Sequence, residues 1–166
     1  AKQANRHPDA RWHDDISSLP EDGPLLVIAN EFFDALPVEQ FIATANGWRR
    51  TLVARDRSRF ITLADPDDSG DRLSAIGRFP EGTVLERSPV SGEIFATICD
   101  RIARQGGLLL LIDYGYCRPG IGSTLQAVKN HLPVSPFDSP GTADLTAHVD
   151  FLSLANIART QLLPVH

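Results

Sequence analysis

PLLVIANEFFDALP, residues Pro24–Pro37, turns from an unbroken apolar run to a cluster of two carboxylates and an Asn around two Phe residues. Short continuous apolar runs bounded by turn signals read as strands buried on both faces of a parallel sheet. GLLLLI, residues 107–112, is a second run of this kind. Between them lies SPVSGEIFATICDRIARQ, residues 88–105, where Ile94, Phe95, Ile98 and Ile102 recur at helical spacing. Pro89 suits the first turn of that helix, and Gly106-Gly107 supplies the stop. A helix feeding a buried strand is the α/β repeat. In such sheets ligands bind outside the carboxyl ends of the strands. Those ends are NEFFD, residues 30–34, and DYGY, residues 113–116.

The remaining chain fills in around this pair. FIATANGWRRTLVA, with Asn46-Gly47 between two runs that can pair, is the strongest hairpin signal in the sequence, and RFITLA adds a further strand. Residues 40–64 therefore read as an antiparallel insertion, followed by the polar loop Asp65–Gly70. RWHDDISSLP, residues 11–20, reads as another strand reaching the same sheet edge, and Asp150 is placed to cap a helix whose apolar face includes Phe151, Leu154, Ala155 and Ala158. A length of 166 residues with 42% hydrophobic residues predicts one domain over 1–166. A net charge of −5 with scattered Lys and Arg offers no stripe for phosphates, which argues against nucleic acid. Cys99 and Cys117 lack metal-type or disulfide-scaffold spacing and fit a reducing compartment. The longest apolar run is far below a membrane span, and the first residues are too polar for a signal peptide, so a soluble protein without membrane insertion is expected.

NEFFDALPVEQF, GWRR, GGLLLLIDYGY, TLQAVKNH and especially PGTADLTAHVDF, in this order and spacing, resemble the MidA family of S-adenosylmethionine-dependent methyltransferases. The resemblance runs with gaps over nearly the whole chain. It implies a class I methyltransferase (Rossmann-like) fold, a doubly wound α/β sheet, here incomplete and carrying the antiparallel insertion. The Gly-rich cofactor loop and the acidic end of the second strand, which hold the methionine part and ribose of the cofactor, are expected before Ala1. The family includes a mitochondrial complex I assembly factor that methylates an arginine. The implied activity is accordingly protein arginine N-methylation with S-adenosyl-L-methionine as cofactor and a complex I subunit as partner. The implied location is a bacterial cytoplasm or a mitochondrial matrix. A flank lacking its first two strands has an unpaired edge, so the isolated chain is expected to be insoluble or to form a homo-oligomer.

By the same resemblance, NEFFDALP falls at the end of the fourth strand, facing methyl group and acceptor. Methyl transfer mainly requires alignment of the nucleophile and exclusion of water. Carboxylates suit an arginine acceptor, because they hold the guanidinium fork through paired charge-assisted hydrogen bonds. Glu31 and Asp34 are the catalytic candidates, with a cap or an Arg partner as the competing roles. Phe32 and Phe33 would wall the substrate pocket beside the sulfonium, or belong to the core. Asp113 and Tyr114 flank the same crevice, although a strand-end Asp also bonds loop amides readily. Trp12, His13 and Asp14, together with Asn30, are the cofactor-side candidates. Asp144, His148 and Asp150 are better explained by structure than by catalysis. Two rival functions remain: a hydrolase whose metal is held by Glu31, Asp113, Asp144, His148 and Asp150, and a methyltransferase-like assembly protein that transfers nothing. No local metal-ligand spacing beyond HxD favours the first. A Gly-rich loop and a downstream acidic strand end in the whole gene would separate enzyme from assembly protein.

Overall fold

The computed structural model describes residues 6–68, 71–138 and 140–166. Two strands, β1 (Leu25–Asn30) and β6 (Gly107–Ile112), pair in parallel from Leu25↔Gly107 to Asn30↔Ile112. The helix α1 (Pro89–Gln105) joins them as expected, with Ser88 accepting from the Ser91 amide, Pro89 in the first turn and Gly106 closing the end at φ 77°. Gly107 is fixed by close approach, since a Cβ there would run into the Leu25 carbonyl. α1 runs antiparallel to the strands, so its amino terminus stands at their carboxyl ends.

Among the described residues, only one face of this pair is covered. Val27, Ala29, Leu109 and Leu111 pack against Phe95, Ile98 and Cys99 of α1 and against Leu154 and Ala158 of α2 (Phe151–Thr160). The other face is open: Leu26 and Ile28 are each 75% exposed and Leu108 is 63% exposed, with Leu110 and Ile112 beside them. This corrects the reading of both runs as buried on two faces. An all-apolar run records that both faces are compatible with burial, but a second layer must be present to cover the other face.

The insertion is an antiparallel sheet in the order β4-β3-β2-β5, made of β2 (Glu39–Thr44), β3 (Gly47–Asp56), β4 (Arg59–Ala64) and β5 (Val84–Arg87). Its first turn is Ala45-Asn46, one residue earlier than the Asn-Gly signal suggested, because Thr44 pairs with Gly47 and Gly47 opens β3 at φ 105°. β5 was not anticipated; it pairs with β2 from Glu39↔Arg87 to Ile42↔Val84 and returns the chain to α1. Phe41, Ala43, Trp48 and Leu73 form a separate small core here, sealed by Phe79 and Leu85. Of the expected loop Asp65–Gly70, Ser69 and Gly70 lie outside the described residues.

The segment 11–20 is not a strand. Asp15 accepts from the Ser17 amide and starts a 3-10 turn, Ile16–Ser18. Arg101 of α1 then holds that turn by donating to the carbonyls of Ile16, Leu19 and Pro20. Its guanidinium, with the residue only 2% exposed, gains three backbone acceptors and so removes the reason for ladder pairing. After β6, β7 (Gly115–Tyr116) pairs in parallel with β11 (Val149–Asp150), while β8 (Gln126–Lys129), β9 (Leu132–Val134) and β10 (Asp144–Thr146) form a three-stranded antiparallel sheet.

Candidate functional site at the strand ends

β1 ends at Asn30, and the chain turns at once. Glu31 donates its amide to the Ile112 carbonyl, completing the ladder, and adopts φ 46°. A left-handed Glu costs about 1 kcal/mol or more, and such positions persist where surrounding structure fixes them. The turn swings the loop across the end of β6. There the carboxylate of Asp113 accepts from the amides of Phe33 (3.0 Å), Asp34 (3.2 Å) and Tyr114 (2.9 Å). Asp113 thus ties the two strand ends together. From the other side, the Ala147 amide donates to the Asp34 carbonyl at 2.9 Å, and Val149 donates to the Tyr114 carbonyl at 2.8 Å.

Glu31, Asp34 and Asp113 therefore converge. Asp34 is buried, and its carboxyl is held above the usual range by burial first, then by the negative charges of Asp113 and Glu31. Among the described residues no Lys or Arg pairs with any of the three. A strand end where Asp34 sits beside two further acidic side chains, with no Lys or Arg partner among the described residues, is suited to a cationic guest.

The two Phe residues divide. Phe33 is 3% exposed, meets Phe95 edge-on at 6.2 Å between ring centroids and belongs to the core cluster. Phe32 is 44% exposed and edge-on to Phe33 at 5.3 Å. Tyr114 is largely exposed and Asn30 is exposed at the end of β1. Trp12, His13 and Asp14 are also exposed; His13 Nδ1 bonds the Ser18 hydroxyl at 3.0 Å, and among the described residues no hydrogen bond or ion pair joins the three to the carboxylates. Behind the loop, on the helix side, lies an apolar cleft of about 660 Å³ to which Phe33, Leu85, Tyr116, Ile121 and Leu154 contribute. Burial, then the Asp150 and Glu86 carboxylates, push the Tyr116 phenol up.

The proposed metal set does not assemble. Asp113 is committed to loop amides, Asp150 caps α2 by accepting from the Ser153 amide, and Asp144 lies on β10. Among the described residues no three His, Cys, Asp or Glu side chains form a metal-holding group. Glu86, which the sequence reading missed, is a buried carboxylate beside the cleft. Within TVLERSP it is an ordinary strand Glu, so no local signal marks it.

A parallel strand pair with a helix layer and neighbouring carboxylates at the strand ends is the arrangement of an incomplete Rossmann-like methyltransferase. Comparison with known proteins agrees with this class. The family described as "Putative S-adenosyl-L-methionine-dependent methyltransferase" matches residues 1–165, and the chain belongs to that family. It is similar to the mitochondrial protein arginine methyltransferase NDUFAF7 homolog of Caenorhabditis elegans, with 34% identity over 92% of this chain and 37% of the relative. Mouse mitochondrial protein arginine methyltransferase NDUFAF7 is 37% identical over 89% of this chain and 34% of that protein. A Burkholderia thailandensis structure described as a "likely methyl transferase" bound to S-adenosyl-homocysteine superposes with TM-score 0.74 at 28% identity, covering 96% of this chain and 43% of that one. The chain thus spans little more than a third of the length of these curated relatives. No helix among the described residues is long and apolar enough to cross a membrane.

Proposed function

We propose that this chain forms the acceptor-side half of an S-adenosyl-L-methionine-dependent protein arginine methyltransferase, with Glu31 and Asp34 holding the guanidinium. The observation that carries this reading is the convergence of Glu31, Asp34 and Asp113 without a Lys or Arg partner among the described residues. A guanidinium answers it on both counts, because its charge relieves the repulsion and its planar fork matches carboxylate oxygens. The residues present also fit one end of the cofactor: the aromatic ring of Phe32, 44% exposed, suits a sulfonium cation. When bound, S-adenosyl-L-methionine supplies the electrophilic methyl group and leaves as S-adenosylhomocysteine. Asn30, Trp12, His13 and Asp14 are assigned to its side of the crevice, and Tyr114 to the acceptor side. Asp113 holds the loop backbone, Phe33 anchors it in the core, and Asp34 is assigned to accept the proton that the guanidinium nitrogen gives up.

Residues 1–166 act in this reading as one methyltransferase-fold unit, with 40–64 inserted in it. The relatives named as arginine methyltransferases support a protein acceptor. A complex I subunit is the acceptor tested first, in a bacterial cytoplasm or mitochondrial matrix. The open flank of β1 and β6 supports association with further polypeptide, including a second copy.

The test is calorimetric titration of S-adenosylhomocysteine into full-length protein and into a Glu31→Gln/Asp34→Asn variant, alongside methyl transfer to the complex I subunit. Both proteins should bind the cofactor product, while the variant loses about 100-fold or more in transfer. Absence of binding to the wild type would move the assignment to an assembly protein that transfers nothing.

A further inference from the structure

Glu86 sits on β5, across the ladder from Gln40, and is 8% exposed. Its Oε1 accepts from Gln40 Nε2 (2.8 Å), the Thr124 amide (3.0 Å) and the Leu125 amide (3.2 Å). Its Oε2 accepts from the Thr124 amide (3.0 Å) and the Thr124 hydroxyl (2.5 Å). No Lys or Arg among the described residues pairs with it. Both oxygens act as acceptors throughout, so a Gln side chain here would set its NH2 against these donors.

The network does not stop at Thr124. With its proton committed to Glu86, the Thr124 hydroxyl presents a lone pair to the His148 amide at 2.8 Å. The adjacent residue, Ala147, donates its own amide to the Asp34 carbonyl at 2.9 Å. Asp34 in turn is held from the opposite side by Asp113. A continuous path of hydrogen bonds, broken only by one peptide link, therefore runs from the insertion sheet to the strand-end loop.

We propose that Glu86 is a positioning residue for methyl transfer: through Thr124 and the 147–148 segment it fixes the backbone of the loop that carries Asp34. The role rests on the methyl-transfer reading of that loop. It gives the antiparallel insertion a task at the site, because β5 supplies the anchor against which one side of the loop is held. Glu86 touches neither acceptor nor cofactor. Its influence is on where Asp34 stands, and misplacement by fractions of an ångström lowers turnover without weakening cofactor binding.

Glu86→Gln, Thr124→Val and Thr124→Ser in the full-length protein test this by amide hydrogen exchange, S-adenosylhomocysteine titration and methyl-transfer kinetics. Glu86→Gln and Thr124→Val should speed exchange of the Phe33, Asp34 and Ala147 amides and lower kcat about tenfold, with cofactor KM within about twofold. Thr124→Ser keeps the hydroxyl and should match the wild type. A purely local role for Glu86 predicts faster exchange at 122–125 and 148 alone; wild-type rates at Phe33 and Asp34 overturn the proposal, as does equal behaviour of Thr124→Val and Thr124→Ser. If Glu86→Gln does not fold, the two Thr124 variants decide. Exchange needs no acceptor, so a wild type that transfers no methyl group counts against the assigned reaction while the exchange rates still decide the wiring.

Discussion

The β1–β6 pair and the antiparallel insertion solve the same problem in opposite ways. The parallel pair takes its order from a helix: α1 covers one face with Phe95, Ile98 and Cys99 and leaves Leu26, Ile28 and Leu108 bare on the other. The insertion takes its order from consecutive hairpins and seals a small core of its own around Trp48, whose indole N–H donates to the Gly77 carbonyl at 3.2 Å. Its outer hairpin stands clear of that core, with every residue of β4 exposed. Parallel strands need a crossover and cover on both faces, whereas antiparallel strands tolerate one wet face. The half to which the chemistry is assigned in the proposed function is thus the half with a bare face. The insertion supports it through Glu86.

Core truncation should break this comparison most visibly. Phe95→Ala removes the ring that meets Phe33 and should cost about 3–5 kcal/mol in chemical denaturation of the full-length protein, with loss of S-adenosylhomocysteine binding. Trp48→Ala should cost a similar amount within the insertion yet leave that binding in place; loss of binding in both would show that the two cores fold as one unit.

A smaller effect sharpens the electrostatic side. Asp34 has a raised carboxyl pKa in the folded chain, so the folded state holds its proton more tightly than the unfolded state does. Its contribution to stability is fully present below the unfolded carboxyl pKa and is lost as pH rises through the folded value. Asp34→Asn should therefore flatten the fall in stability over that window and stabilise the protein at neutral pH, while methyl transfer drops. A steeper pH dependence in the variant would contradict the assignment. Acceptor binding should itself rise with pH through the folded pKa, since the guanidinium pairs with the ionised form.

The smallest change belongs to the outer hairpin. Ile61→Thr on β4 alters an exposed side chain 42% accessible to solvent and should shift stability by no more than about 0.5 kcal/mol. A larger loss would mean that β4 is covered in the full-length protein.

The elements most legible in the sequence were those with strong local chemistry. Ser88-Pro89 and Gly106 bracket α1, and Asp150 caps α2, because these residues satisfy or terminate a helix by their own bonding. Shorter elements escaped. β5 and β7 through β11 are two to four residues long, with no room for periodicity. The β8–β9 turn is made by Asn130 and His131, both at positive φ, without the Gly that usually announces such a turn. The expected strand at 11–20 failed because Arg101, more than 80 residues away, draws its carbonyls out of any ladder.

By itself, the sequence determined that two apolar strands flank a capped helix and that carboxylates gather where the strands end, since burial and capping act over a few residues. Tertiary structure alone decided what those carboxylates do. Asp113 lies 79 residues from Asp34, and Thr124 lies 38 residues from Glu86. Which acid holds a backbone, which is raised by its neighbours and which anchors the site from another sheet depends on distances that chain folding sets and residue order does not record.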